Sequence, residues 1–230
     1  MSCSFDDYVY LCPSREKCSD SSCSWGASLK GLLMSSRLPK SQWKKVGLIP
    51  DDVDVDAYER LAEIRESIYD CVYPEQDYKN ILICSKNAGN GKTTWAIKLL
   101  QQYFISIASY SYLDPEEGIM HGCFVPTTQF IHDAKQFGRP VYERYEKLAD
   151  TADKAEFTVF DDVGAAEYTK YDYTTLLVAI DRRVFAKKCC VFTTNLTTKE
   201  DMVKKVGERL ADRIWDTSEI IEFKGDGVRC

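Results

Sequence analysis

An apolar run, Ile81-Leu82-Ile83-Cys84, leads into Gly89-Asn90-Gly91-Lys92-Thr93-Thr94 and then into Trp95-Ala96-Ile97-Lys98-Leu99-Leu100. No other stretch constrains the chain as tightly. The short apolar run reads as a buried strand, and the residues from Trp95 read as the start of a helix. Strand, glycine-rich turn, Lys-Thr and helix form the context in which a loop cradles phosphate. Backbone N–H groups in the turn and at the helix N-terminus face the anion. Lys92 adds a point charge near the β- and γ-phosphates, and Thr93 offers a hydroxyl to Mg²⁺. Asn87 and Ala88 complete the expected nucleotide-binding loop. The full pattern would carry glycine at position 86, where this chain has Lys86, so the first turn must close without one. A glycine turn with no ligand is the plain alternative.

A second segment weighs against that alternative. Phe157-Thr158-Val159-Phe160 favours a strand and ends in Asp161-Asp162. A buried strand that delivers two carboxylates at its C-terminal end suits a Mg²⁺–water site. Asp161 would hold Mg²⁺ through water, and Asp162 would polarise the attacking water. Alone, the pair could be an ordinary acidic turn. Asn195 ends another apolar strand, Phe192-Thr193-Thr194. Its amide could orient the attacking water, or it could be a turn residue before the next helix.

Strand and helix patterns alternate from Lys79 onward: strands at 80–84, 122–126, 157–161, 189–195 and 220–223, helices near 92–108, 128–137, 142–149 and 173–185. Alternation of this kind predicts an α/β fold, a parallel sheet flanked by helices, with ligand at the strand C-terminal ends. Val55, Tyr58, Leu61, Ile64, Ile68 and Val72 recur at helical spacing and predict one helix over 51–72, ended by Pro74. A short helix is expected at 29–34 and an irregular connector at 38–50, whose Ile49 and Pro50 could line a pocket for the base or simply pack. The expected division is an N-terminal region of 1–50 and a nucleotide-binding domain of 51–230.

A chain of 230 residues, 44% hydrophobic and 29% charged, can bury a sizeable core and is not compositionally disordered. The net charge of −6 excludes a general basic footprint for nucleic acid, so any contact with DNA must be local. No segment reaches the roughly 18–20 apolar residues that cross a bilayer, and the acidic N-terminus resembles no export signal. A cytoplasmic protein without a membrane partner is expected, with cysteines reduced or metal-bound. Cys3, Cys12, Cys18 and Cys23 crowd the N-terminus. Thiolates clustered in a short segment can close a tetrahedral Zn²⁺ site. No Cys-x-x-Cys pair is present, and scattered thiols are the alternative. Cys84, Cys123, Cys189 and Cys190 read as core residues.

Arg209 and Arg213 stand four apart on one helix face, in Gly207-Glu208-Arg209-Leu210-Ala211-Asp212-Arg213. From spacing alone, salt bridges with Glu208 or Asp212 are the simpler reading. Tyr168, Lys170 and Tyr171 after the acidic strand could contact a DNA strand, but a solvated loop is the preferred expectation.

The blocks Ser85–Ala96, Asp161–Gly164, Thr194–Leu196, Gly207–Arg213 and Ile220–Gly225 come in an order and spacing that resemble the DnaC/DnaI-type helicase loaders of the AAA+ ATPase superfamily. The resemblance is nearest to loader-like replication proteins of phages and mobile elements of Gram-positive bacteria. It covers the C-terminal two-thirds of the chain firmly and the cysteine-bearing head loosely. It implies that Lys92 and Thr93 bind ATP and Mg²⁺, that Asp161 holds the metal, and that Asp162 replaces the usual catalytic glutamate. It implies a first sensor at Asn195 and an arginine finger on the helix of Arg209 and Arg213, with Arg213 favoured. It further implies docking on a replicative hexameric helicase, self-assembly into a ring or spiral, and contact with single-stranded DNA. A transposition-helper ATPase and a non-enzymatic adaptor that blocks the host's loader are the rival expectations.

Overall fold

The computed structural model describes residues 11–12, 23–43, 47–74, 79–108 and 120–226. Five strands form one parallel sheet: β1 Asn80–Cys84, β2 Gly122–Pro126, β3 Phe157–Val163, β4 Cys190–Thr194 and β5 Ser218–Glu222. Their spatial order is β2-β3-β4-β1-β5. β1 and β4 are buried along their whole length, as strands covered on both faces must be. That double coverage is why their sequences are largely apolar runs rather than alternating ones.

Helices cover both faces. On one side lie α1 (Ser24–Ser35), α2 (Val55–Glu66), α3 (Ile68–Val72) and α4 (Lys92–Ile107), which share a core with Ile81, Ile83 and Val191. On the other lie α5 (Thr127–Ala134), α6 (Pro140–Lys154), α7 (Lys170–Phe185), α8 (Lys199–Val206) and α9 (Glu208–Trp215), packed around Phe160 and Phe192. The two phenyl rings stack at 5.6 Å. Among the described residues, no helix is long and apolar enough to cross a membrane.

Several boundaries differ from expectation. The helix expected over 51–72 starts as a 3-10 turn at Asp52–Asp54 and breaks at Ser67. The Ser67 hydroxyl and N–H both donate to the Glu63 carbonyl, a local bond that bends helices. The helix expected at 128–137 stops at Ala134, because Gly138 turns the chain in a left-handed conformation. The next runs longer than expected, Pro140–Lys154, with proline in its first turn where the missing N–H costs nothing. The expected solvated loop at Tyr168–Tyr171 is corrected. Thr169 caps α7 in a capping box with Asp172, the Tyr168 hydroxyl accepts from Gly164 N–H at 2.9 Å, and the Tyr171 hydroxyl donates to the Ala134 carbonyl at 2.9 Å. The connector 38–50 contains a 3-10 turn at Lys40–Gln42 and buries Trp43.

Gly122 opens β2 directly beneath α4. A Cβ there would lie 2.5 Å from the buried Phe104 ring and 2.8 Å from Leu100. Overpacking of this kind costs about 1–3 kcal/mol, so Gly122→Ala should lower the melting midpoint by roughly 3–10 °C. A thermal melt followed by circular dichroism checks this, and an unchanged midpoint would mean that Phe104 yields freely.

Candidate nucleotide site

The site gathers at the C-terminal ends of β1, β3 and β4. Between β1 and α4 the chain turns through Gly89 (φ 82°) and Gly91 (φ 91°), both left-handed. A Cβ on Gly91 would also meet Leu48 at 3.1 Å and the Tyr58 hydroxyl at 3.2 Å, so backbone freedom and space both require glycine there. Lys86 is not among the described residues with positive φ, and this is why the first turn tolerates a side chain.

Lys92 opens α4, and its Nζ donates to the Asn87 carbonyl at 2.9 Å and to Asn90 Oδ1 at 3.2 Å. Burial pulls its ammonium below the usual lysine value, opposed by the charges of Asp162 and Asp161. Thr93, Asp161 and Thr193 meet at one point. The hydroxyls of Thr93 and Thr193 donate to Asp161 Oδ1 at 2.8 and 2.7 Å. Burial raises the Asp161 pKa, and those two hydroxyl bonds hold it back. The structure thus joins Thr93 to Asp161, from segments far apart in sequence. A hydroxyl beside a carboxylate, all oxygen donors, is the ligand chemistry Mg²⁺ prefers, so these residues fit the ion.

Asp162 occupies a local irregularity. The β3–β4 register shifts between Phe160 and Val163, and Asp162 has φ 62°. A bulge takes backbone groups out of the ladder and re-aims side chains. The displaced groups find other partners here. Thr127 Oγ1 donates to the carbonyls of Asp161 and Asp162 at 2.8 and 3.0 Å, and Asp162 N–H donates to Thr193 Oγ1 at 2.8 Å. The left-handed turn leaves the Asp162 carboxylate 3.5 Å from Asn195 Nδ2. Asn195 thus lies beside the acidic pair at the end of β3.

This convergence of loop, acidic strand and amide on one sheet edge invites comparison with known proteins. No protein-family model matches the chain. No curated protein matches it either. Among solved structures, a DnaC helicase loader superposes with a TM-score of 0.56 at 20% identity, over 76% of this chain and 93% of that one. A putative primosome component from Streptococcus pyogenes serotype M3 gives 0.57 at 18% identity, over 86% and 97%. A replication initiator DnaA bound to AMPPCP and single-stranded DNA gives 0.54 at 14% identity, over 78% of this chain and 49% of that one. The chain shares its fold with these replication proteins.

The remaining expected residues lie as follows. Ala88 and Thr94 belong to the loop and the first turn of α4. Arg209 and Arg213 point at neither Glu208 nor Asp212. Both donate to Asp181 on α7, Arg209 at 3.1 Å, and Arg213 holds the Asp181 carboxyl below its usual value. Ile49 is 75% exposed; Leu48 reaches the loop instead. Of the N-terminal thiols, Cys3 and Cys18 lie outside the described residues. Cys12 is half-buried, and Cys23 Sγ caps α1 by accepting from Gly26 N–H at 3.3 Å. Cys84, Cys123, Cys189 and Cys190 are buried, as expected.

Two contributors, Thr193 and Tyr58, escaped the sequence reading, and one contact of Asn87 did. Thr193 carries the second hydroxyl to Asp161; a polar residue inside an otherwise apolar strand was the available signal. Tyr58 on α2 donates to the Asn90 carbonyl at 3.3 Å and packs edge-on against Trp95 at 5.3 Å. Asn87 Nδ2 donates to the Gly225 carbonyl at 3.0 Å, tying the loop to the segment after β5.

Proposed function

We propose that this chain is an ATP-hydrolysing AAA+ protein that loads a replicative DNA helicase during DNA replication. The observation that carries the reading is the Thr93–Asp161–Thr193 cluster, with Asn195 beside Asp162 and Lys92 at the mouth of α4. In this reading Lys92 binds the β- and γ-phosphates, Thr93 and Asp161 hold Mg²⁺, and Asp162 with Asn195 orients the attacking water. Mg²⁺ would supply charge neutralisation on the phosphates. Arg213 would leave Asp181 and reach the nucleotide of a neighbouring subunit in a ring or spiral, with Arg209 beside it. The likeness to a DnaC helicase loader and to an initiator bound to AMPPCP and single-stranded DNA supports the partner and ligand classes. Residues 1–50 would dock on the helicase, with Zn²⁺ held by Cys3, Cys12, Cys18 and Cys23.

The test is a mass determination of the chain mixed with the host's hexameric helicase, with and without a non-hydrolysable ATP analogue. A discrete complex is expected, and its mass gives the stoichiometry. No complex in either state would sink the loader reading and move a transposition partner to the front.

A further inference from the structure

The phosphate loop is closed upon itself by one side chain. Asn90 is 5% exposed and Lys92 8% exposed. The Asn90 carboxamide N–H donates to the Ser85 hydroxyl, and its Oδ1 accepts from Lys92 Nζ at 3.2 Å. Ser85 Oγ also accepts the Asn87 N–H at 3.2 Å, and Tyr58 steadies the Asn90 carbonyl. A lysine ammonium has three donors, and two are directed at acceptors of the loop itself, the Asn87 carbonyl and the Asn90 amide. The carbonyl is backbone and common to any residue. The amide is a choice of side chain.

We infer that Asn90 is a positioning residue that holds Lys92 against the loop and competes with an incoming phosphate for its ammonium. The inference rests on the reading of this loop as a nucleotide site. Bonding to both the β- and γ-phosphates takes two of the three donors, so one loop acceptor must be given up, and Asn90 Oδ1, at 3.2 Å against 2.9 Å for the Asn87 carbonyl, is the weaker hold. The displaced carboxamide loses a bond to a charged donor, and this opposes phosphate entry. Asn90 thereby sets nucleotide affinity lower than the same loop would have with a small apolar residue.

Two readouts test this on the full-length chain. The first needs no nucleotide: the rate at which Lys92 is acetylated by a brief pulse of acetic anhydride at one fixed pH, read by peptide mass spectrometry. Acylation requires the neutral, accessible amine. Asn90→Ala removes an acceptor that favours the ammonium, and should speed labelling about threefold or more. Asn90→Asp supplies an ionised acceptor and should slow it. Unchanged labelling in both variants would overturn the inference. The second readout is the affinity for a fluorescent, non-hydrolysable ATP analogue, which Asn90→Ala should tighten by about three- to tenfold. Equal or weaker binding by Asn90→Ala would overturn the competition. Faster labelling with no nucleotide bound by either protein would uphold the hold on Lys92 and overturn the nucleotide reading instead.

Discussion

Asp161→Asn is expected to stop ATP turnover while leaving the chain folded. The amide oxygen can still accept both hydroxyl bonds, from Thr93 and Thr193, so the geometry at the end of β3 should survive. What disappears is the negative charge that would hold Mg²⁺ against the β- and γ-phosphates. Losing that charge should cost about 3–4 kcal/mol of barrier lowering, a rate drop on the order of 10²–10³. The melting midpoint should hold or rise slightly, because burial already works against the ionised carboxyl, as its raised pKa indicates. Phosphate release measured beside a thermal melt separates the two effects. Turnover within threefold of the unaltered protein would refute the role of Asp161.

Arg183→Leu is expected to be the most destabilising single change away from the site. Arg183 is 1% exposed, and no carboxylate stands opposite it among its bonding partners. Its guanidinium donates to the carbonyls of Ala152, Ala155, Glu156 and Cys189 at 2.5, 2.7, 3.2 and 2.9 Å, and to Cys190 Sγ at 3.2 Å. Ala152 and Ala155 lie at the C-terminus of α6, where unpaired carbonyls and the helix dipole favour a cation. The planar fork of arginine serves several carbonyls at once, which no other side chain does. Leucine would orphan the Ala155 and Glu156 carbonyls in the interior, at about 1–3 kcal/mol each, and leave those of Ala152 and Cys189 with Thr158 alone as donor. Even with strong non-additivity the loss should exceed about 4 kcal/mol, a large share of an ordinary domain's stability. The midpoint should fall by roughly 10 °C or more, or the protein should become insoluble. A midpoint within about 3 °C of the starting value would refute this role. Lysine should rescue only part, since it lacks the fork.

Much of the fold was legible because the two periodicities are so different. Largely apolar runs at β1 and β4 could only be strands buried on both faces, and the intervening helical spacings demanded crossovers. The loop with its glycines was legible because left-handed backbone leaves a compositional trace at Gly89 and Gly91. Asp161 and Asn195 were legible because each closes an apolar run. Helix ends were less so. Ser67, Gly138 and Thr169 act through single local bonds or one dihedral angle, too small a signal to move a boundary read from periodicity.

Other features had no trace in the order of residues. Thr193 matters because β3 and β4 are neighbours, and strand order is a property of the assembled sheet. Arg209 and Arg213 find Asp181 on α7 rather than an acid on their own helix, because α9 packs across α7 and local spacing carries no knowledge of that contact. Tyr58 reaches the loop only once α2 has docked on α4. By itself, then, the sequence determined most element types, the parallel sheet and the glycine turn between β1 and α4, since these follow from local dihedral preference and burial pattern. Tertiary structure alone decided which hydroxyl meets Asp161, which carboxylate holds the arginines and which amide holds Lys92, because side-chain hydrogen bonds are settled by ångström-scale proximity between segments distant along the chain.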